Sequence, residues 1–156
     1  MSNYSICFNV LYNKFTTWTW QELLFGVKNN IITIGDVINY VNNIISESNS
    51  DFEDIMQILL ADISEVEPIL EDLSLKEKRQ KENDIASKWI FVIIYYNYIT
   101  NKDGIHDVID NIYCEFGYPS EISCLVTYMP KEDGEPQDDK LKRYINECKD
   151  FWLVKS

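Results

Sequence analysis

The sequence predicts an all-α fold: a compact multi-helix bundle or short α-solenoid around a buried central helix at about residues 84–100. Three observations carry that expectation. In the run WIFVIIYYNYI at 89–99 only Asn97 is not hydrophobic, and a helix that is apolar on every side is buried by its neighbours. Most other apolar residues recur at the 3.6-residue helical period. The 5 Gly and 4 Pro of the 156 residues are also too few for a turn-rich β fold. At 11 residues the run is shorter than the roughly 20 needed to cross a bilayer. The length and the 46% hydrophobic content suit one domain, 1–156, with a sizeable core.

Residues 5–16 fit two patterns. Phe8, Leu11, Tyr12 and Phe15 make a helical face, whereas Ile6, Phe8, Val10 and Tyr12 alternate as in a strand; the helical company favours helix. Thr19-x-x-Glu22 reads as a capping box opening a helix from Trp20 to about Lys28. Thr33-x-x-Asp36 opens the next, with Ile34, Val37, Ile38, Val41, Ile44 and Ile45 on one face. After the polar SESNS (46–50), Ser50-x-x-Glu53 starts a helix whose apolar face is Phe52, Ile55, Met56, Leu59 and Leu60. Ser64-x-x-Glu67 starts a shorter one, buried through Val66, Ile69, Leu70 and Leu73, with Pro68 near its first turn, where a missing N–H does least harm. Ser74-x-x-Glu77 begins a charged lead-in to the central helix.

Beyond that helix, Asn101–Gly104 is a turn. Ile105, Val108, Ile109, Ile112, Tyr113 and Phe116 define a helix stopped by Gly117, with Pro119 just beyond. Residues 120–128 read as a short helix burying Ile122, Leu125 and Val126; KEDGEPQDD (131–139) is a solvated loop. Leu141, Tyr144, Ile145, Cys148 and Trp152 mark a last amphipathic helix.

The charge distribution is the strongest functional signal. The net charge is −12, which argues against nucleic acid and anionic membrane as partners, since both need basic surface. No Lys or Arg occurs between Lys28 and Lys76, an interval holding ten acids; the rest of the chain carries 16 acids against 14 bases. Six of the ten (Asp36, Asp51, Glu53, Asp54, Glu65, Glu67) fall in or beside expected first helical turns, where the helix dipole favours them. Glu47, Asp62, Glu71 and Asp72 fall near expected helix C-termini, where it opposes them, and Glu67 with Glu71 is a like-charge i, i+4 pair. Glu47, Asp62, Glu67, Glu71 and Asp72 are therefore the candidate partner-binding residues.

No catalytic, cofactor-binding or metal-ligating motif is present. GxxxxGK[ST], GxSxG and HExxH are all absent. The single His106, with Asp103, Asp107 and Asp110 nearby, lacks any supporting ligand pattern, and KEDGEPQDD lacks the Gly position and bidentate Glu of a calcium loop. The four cysteines are dispersed, as expected of reduced, mostly buried thiols. The first residues, MSNYSICFNV, have no basic n-region or continuous apolar stretch, so a cytoplasmic location is expected.

The segments TWQELLFG (19–26), IYCEFGYP (112–119) and YMP (128–130) resemble a bacterial family of small helical proteins, domain of unknown function 2247. That family is similar to the immunity proteins that accompany polymorphic toxins in contact-dependent inhibition systems. The resemblance implies a chain that does no chemistry, takes no cofactor, and occludes a cognate toxin domain. A basic nuclease would match the acidic interval by charge. The alternatives are a structural or regulatory adaptor kept soluble by its acids, and an enzyme whose site is assembled from scattered residues.

Overall fold

The computed structural model describes residues 6–15, 18–45, 52–126 and 136–153. The SESNS linker, the YMP element and residues 131–135 of the acidic loop lie outside the described residues. The protein is all-α, with no strand among the described residues. Its helices are α1 (Phe8–Leu11), α2 (Trp20–Lys28), α3 (Ile34–Ile44), α4 (Phe52–Leu60), α5 (Ile63–Lys76), α6 (Glu82–Thr100), α7 (Ile105–Glu115) and α8 (Gln137–Trp152), with 3-10 turns at Tyr12–Lys14 and Ser120–Leu125. They group into two compact units, Met1–Ile85 and Ala86–Ser156.

In the first unit α5 is the hub: α2, α3 and α4 all pack against it, and α1 packs against α3. The capping box at Thr19 and the helix start at Thr33 both form as the sequence predicts. Thr19 Oγ1 accepts from the Glu22 amide at 3.1 Å while Glu22 returns a carboxylate oxygen to the Thr19 amide at 2.9 Å. Thr33 and Asp36 exchange the same pair of bonds. Of the ambiguous stretch, residues 8–14 are helical but broken, a single α turn running into a 3-10 turn, and residues 5 and 16 lie outside the described residues. Aromatic packing holds it in place: the Phe8 ring meets Trp18 edge-on at 5.1 Å and Tyr12 meets Tyr40 edge-on at 5.2 Å, contacts worth about 0.5–1.5 kcal/mol each beyond area burial.

The expected break at Ser74 does not occur. α5 runs through to Lys76, and Ser74 Oγ donates back to the Glu71 carbonyl at 2.8 Å. A mid-helix serine satisfies itself this way instead of capping a new helix. The start moves too: the N-cap is Asp62, not Ser64, which puts Pro68 six residues into the helix. The acceptor that Pro68 deprives is the carbonyl of Ser64, an exposed first-turn residue that water can reach. Leu60, expected on the buried face of α4, is instead exposed, because Ile55 and Ile58 carry that face.

In the second unit, Trp89 through Ile94 on α6 are all fully buried, as the apolar run predicts. Asn97, its one polar member, is buried and donates its amide to the Ile93 carbonyl at 2.8 Å, so the run carries no unpaired polar side chain at that point. The 3-10 turn packs against both α7 and α8, and Gln137 at the start of α8 donates to the Leu125 and Val126 carbonyls that end it. α7 ends as expected: Gly117 takes the left-handed conformation (φ 76°), and the Tyr118 amide reaches back to the Tyr113 carbonyl at 2.8 Å. Tyr118 is itself left-handed (φ 59°), and its ring lies edge-on to Tyr113 at 5.3 Å.

None of the four cysteines forms a disulfide, but three of them (Cys7, Cys114, Cys124) are exposed and Cys148 is half-buried, against the expectation of burial. Cys114, for example, follows the buried pair Ile112–Tyr113 onto the outer side of α7.

Tyr144 provides a stability test. Its hydroxyl is buried with no hydrogen-bond partner of good geometry among the described residues. Burial, helped by the negative charges of the Cys148 thiolate and Glu121, pushes it well above the ordinary tyrosine range. The folded state therefore holds this proton more tightly than the unfolded state. Its contribution is whole below pH ~10 and is lost above that at about 1.4 kcal/mol per pH unit. Tyr144→Phe is expected to be neutral or stabilising by up to about 2 kcal/mol near pH 7. It should also flatten the alkaline decline in denaturant melts. A variant that declines with pH as steeply as wild type would refute this.

Candidate functional site

The acidic interval holds α3, α4 and α5, and α5 with its N-cap carries five of the eight acids among the described residues. Val66, Leu70 and Leu73 turn α5 inward. Glu65, Pro68, Asp72 and Leu75 are all exposed at spacings of three, four and three residues, which places them along one outer stripe. Glu67 and Glu71 lie on a flank and are half-buried. Glu71 is already engaged: a carboxylate oxygen sits 3.0 Å from the Lys28 ammonium of α2, with both side chains about half exposed.

The candidate residues are thus only partly brought together. Glu67, Glu71 and Asp72 share α5, Asp62 stands at its start, and Glu47 lies outside the described residues. Asp62, expected at a helix C-terminus, is an N-cap, where the dipole favours a carboxylate. Glu71 and Asp72 precede the last turn of the lengthened α5, so the dipole acts on them only weakly. Opposition to the dipole therefore singles out neither: Asp72 is exposed, and Glu71 is half-buried and paired with Lys28.

Sequence reasoning missed the apolar companions of these acids. Leu60 is 78% exposed, Ile63 71% and Leu75 82%. The available signal was positional: Leu60 and Ile63 flank the two-residue α4–α5 link, and Leu75 is off the Val66–Leu70–Leu73 period.

A second constellation is structural. The start of α2 is clasped by the link between α5 and α6. The Glu77 carboxylate accepts from the Trp20 amide at 3.1 Å and the Gln21 amide at 3.0 Å. Gln21 donates to the Lys78 carbonyl and accepts from the Gln80 amide. Thr19 donates its hydroxyl to Gln80 Oε1 at 2.6 Å. Every amide of the first turn of α2 is satisfied. Arg79, Gln80, Lys81, Glu82 and Asn83 line an open depression of about 550 Å³ beside this clasp, with mixed charge.

His106 pairs with Asp138 of α8 at 3.3 Å rather than with its sequence neighbours, and its Nδ1 is buried without a partner. Among the described residues no group of three His, Cys, Asp or Glu side chains is arranged to hold a metal ion. No helix among them is long and apolar enough to cross a membrane.

A family profile described as an uncharacterized protein conserved in bacteria (DUF2247) matches residues 8–154, nearly the whole chain. The chain belongs to this family. Neither the curated proteins nor the solved structures contain a match. Two of the segments that resembled the family have structural work to do: TWQE forms the clasped start of α2, and FGYP forms the left-handed stop of α7.

Proposed function

We propose that this chain is a cytoplasmic immunity protein, which neutralises a cognate bacterial toxin domain by occlusion, without chemistry or cofactor of its own. The observation that carries the reading is the cation-free interval between Lys28 and Lys76, which folds into helices whose outer stripe presents Glu65 and Asp72, with Asp62 at its start. A toxin that cleaves nucleic acid has a basic groove built for phosphates, and a rigid acidic helix competes for it by charge complementarity. Glu67 and Glu71 extend the face toward α2, and Glu71 meets Lys28 at its edge.

The test is co-expression and pull-down with the toxin domain encoded beside this gene, followed by association kinetics across ionic strength. The Debye length falls from about 10 Å at 0.1 M salt to about 3 Å at 1 M, so association should slow as salt rises. Reversing Glu71 and Asp72 to Lys together should cut the on-rate about tenfold or more at low salt. Losing the exposed Lys28–Glu71 pair should cost stability no more than about 1 kcal/mol. A double variant that folds and associates at the wild-type rate would reduce the acidic face to solvated surface.

A further inference from the structure

Seven large hydrophobic side chains stand exposed among the described residues, and four of them, Phe52, Leu60, Ile63 and Leu75, fall within the cation-free interval. Exposed apolar residues scattered singly are ordinary. Two of these, Leu60 and Ile63, are neighbours across a two-residue link. Leu60 ends α4 and Ile63 begins α5, on either side of Ala61 and Asp62. Leu75 then closes the outer stripe that holds Glu65 and Asp72, about 18 Å along the helix from Ile63. The unit therefore offers an apolar corner at the α4–α5 link, with the Asp62 carboxylate inside it and the acidic stripe on another side of α5.

We propose that Leu60 and Ile63 are the apolar anchors of a docking surface whose occupant is a basic protein, one that presents apolar side chains flanked by Lys or Arg. The proposal rests on the reading of the acidic face as a partner surface, and it adds what that reading lacks. Charge steers encounter and excludes wrong partners, whereas a few well-packed apolar or aromatic anchors hold the complex together. Charge also selects the occupant. Nucleic acid and anionic lipid are repelled by the carboxylates. A second copy would set Asp62 against itself, in a chain of net charge −12.

The experiment uses two synthetic helical peptides of about 14 residues. One has a Leu face and a Lys face; in the other every Leu is replaced by Ser, so the charge is identical. Binding is followed by chemical shifts of the full-length protein and by sedimentation, for wild type and for Leu60→Ser/Ile63→Asp. Both substitutions lie at exposed positions, and an acid in the first turn of α5 suits the helix dipole, so the fold should persist, as melting will verify. The change to Asp also raises attraction to a cation, so weaker binding can come only from the lost apolar contact. The Leu/Lys peptide should bind wild type about tenfold or more tighter than the Ser/Lys peptide, a loss typical of removing anchors, with shifts centred on residues 59–65. The double variant should lose that preference. Equal or absent binding of the two peptides, a preference retained by the variant, or a wild-type dimer that the substitutions dissolve would each overturn the proposal. The adjacent toxin domain separates the two readings. If it does not bind wild type, the immunity reading fails whatever the peptides do. If it binds wild type and the double variant equally, the anchors fail and the immunity reading stands.

Discussion

Truncating Ile93 or Ile94 to alanine is expected to lower unfolding free energy by about 2–5 kcal/mol, with Trp89→Ala near the upper end. All three side chains are fully buried on α6. Each truncation removes apolar area from a close-packed environment that relaxes only partly, so a cavity term adds to the lost transfer energy. Such a loss is a large fraction of the 5–15 kcal/mol that holds a typical domain folded. Ile99, near the exposed end of the same helix, is the internal control, and alanine there should change stability by no more than about 0.5 kcal/mol. Urea melts of the set provide the measurement. Similar costs at Ile93 and Ile99 would show that burial is not what holds this helix.

Removing the Glu77 carboxylate is expected to have the next largest effect. Glu77→Ala leaves the Trp20 and Gln21 amides without the acceptors they have now, and hydrogen bonds to a charged group at a helix start are worth more than neutral ones. The expected cost is about 1–3 kcal/mol. Glu77→Gln, which keeps one carbonyl acceptor, should fall between wild type and alanine. Thermal melts of the two variants order the series. An alanine variant as stable as wild type would mean that water replaces the carboxylate without loss.

The helices were legible in the sequence wherever local chemistry decides them. Thr19, Thr33 and Gly117 each do what their residue type and spacing predict, because a capping box and a left-handed stop are satisfied within a few residues of chain. The apolar run on α6 was legible because no surface position accommodates it. Ser74 was misread because the S-x-x-E pattern permits a cap without requiring one. Glu77, the residue that completed the pattern, is engaged 56 and 57 residues away on Gln21 and Trp20. Such a partnership has no local signature.

The candidate site was legible as charge and illegible as surface. The cation-free interval is visible by inspection, but how the dipole acts on each acid depends on where α5 begins and ends. Moving those ends turned Asp62 from a disfavoured anion into an N-cap. The exposure of Leu60 and Leu75 was hidden for a related reason. A leucine beside a helical period reads as core until the helices that cover the face are placed.

The clasp on α2 also bears on how the chain withstands cleavage. Residues 76–81 read KEKRQK, four basic side chains in six positions joining two long helices, a composition that a trypsin-like protease favours. Such an enzyme needs several residues of free, extended backbone. Here the Lys78 carbonyl and the Gln80 amide are both held by Gln21, and the Glu77 side chain is anchored on the helix start. Nicking at this link must wait for these bonds to release, so its rate there is set by a local opening equilibrium rather than by how exposed the basic side chains are.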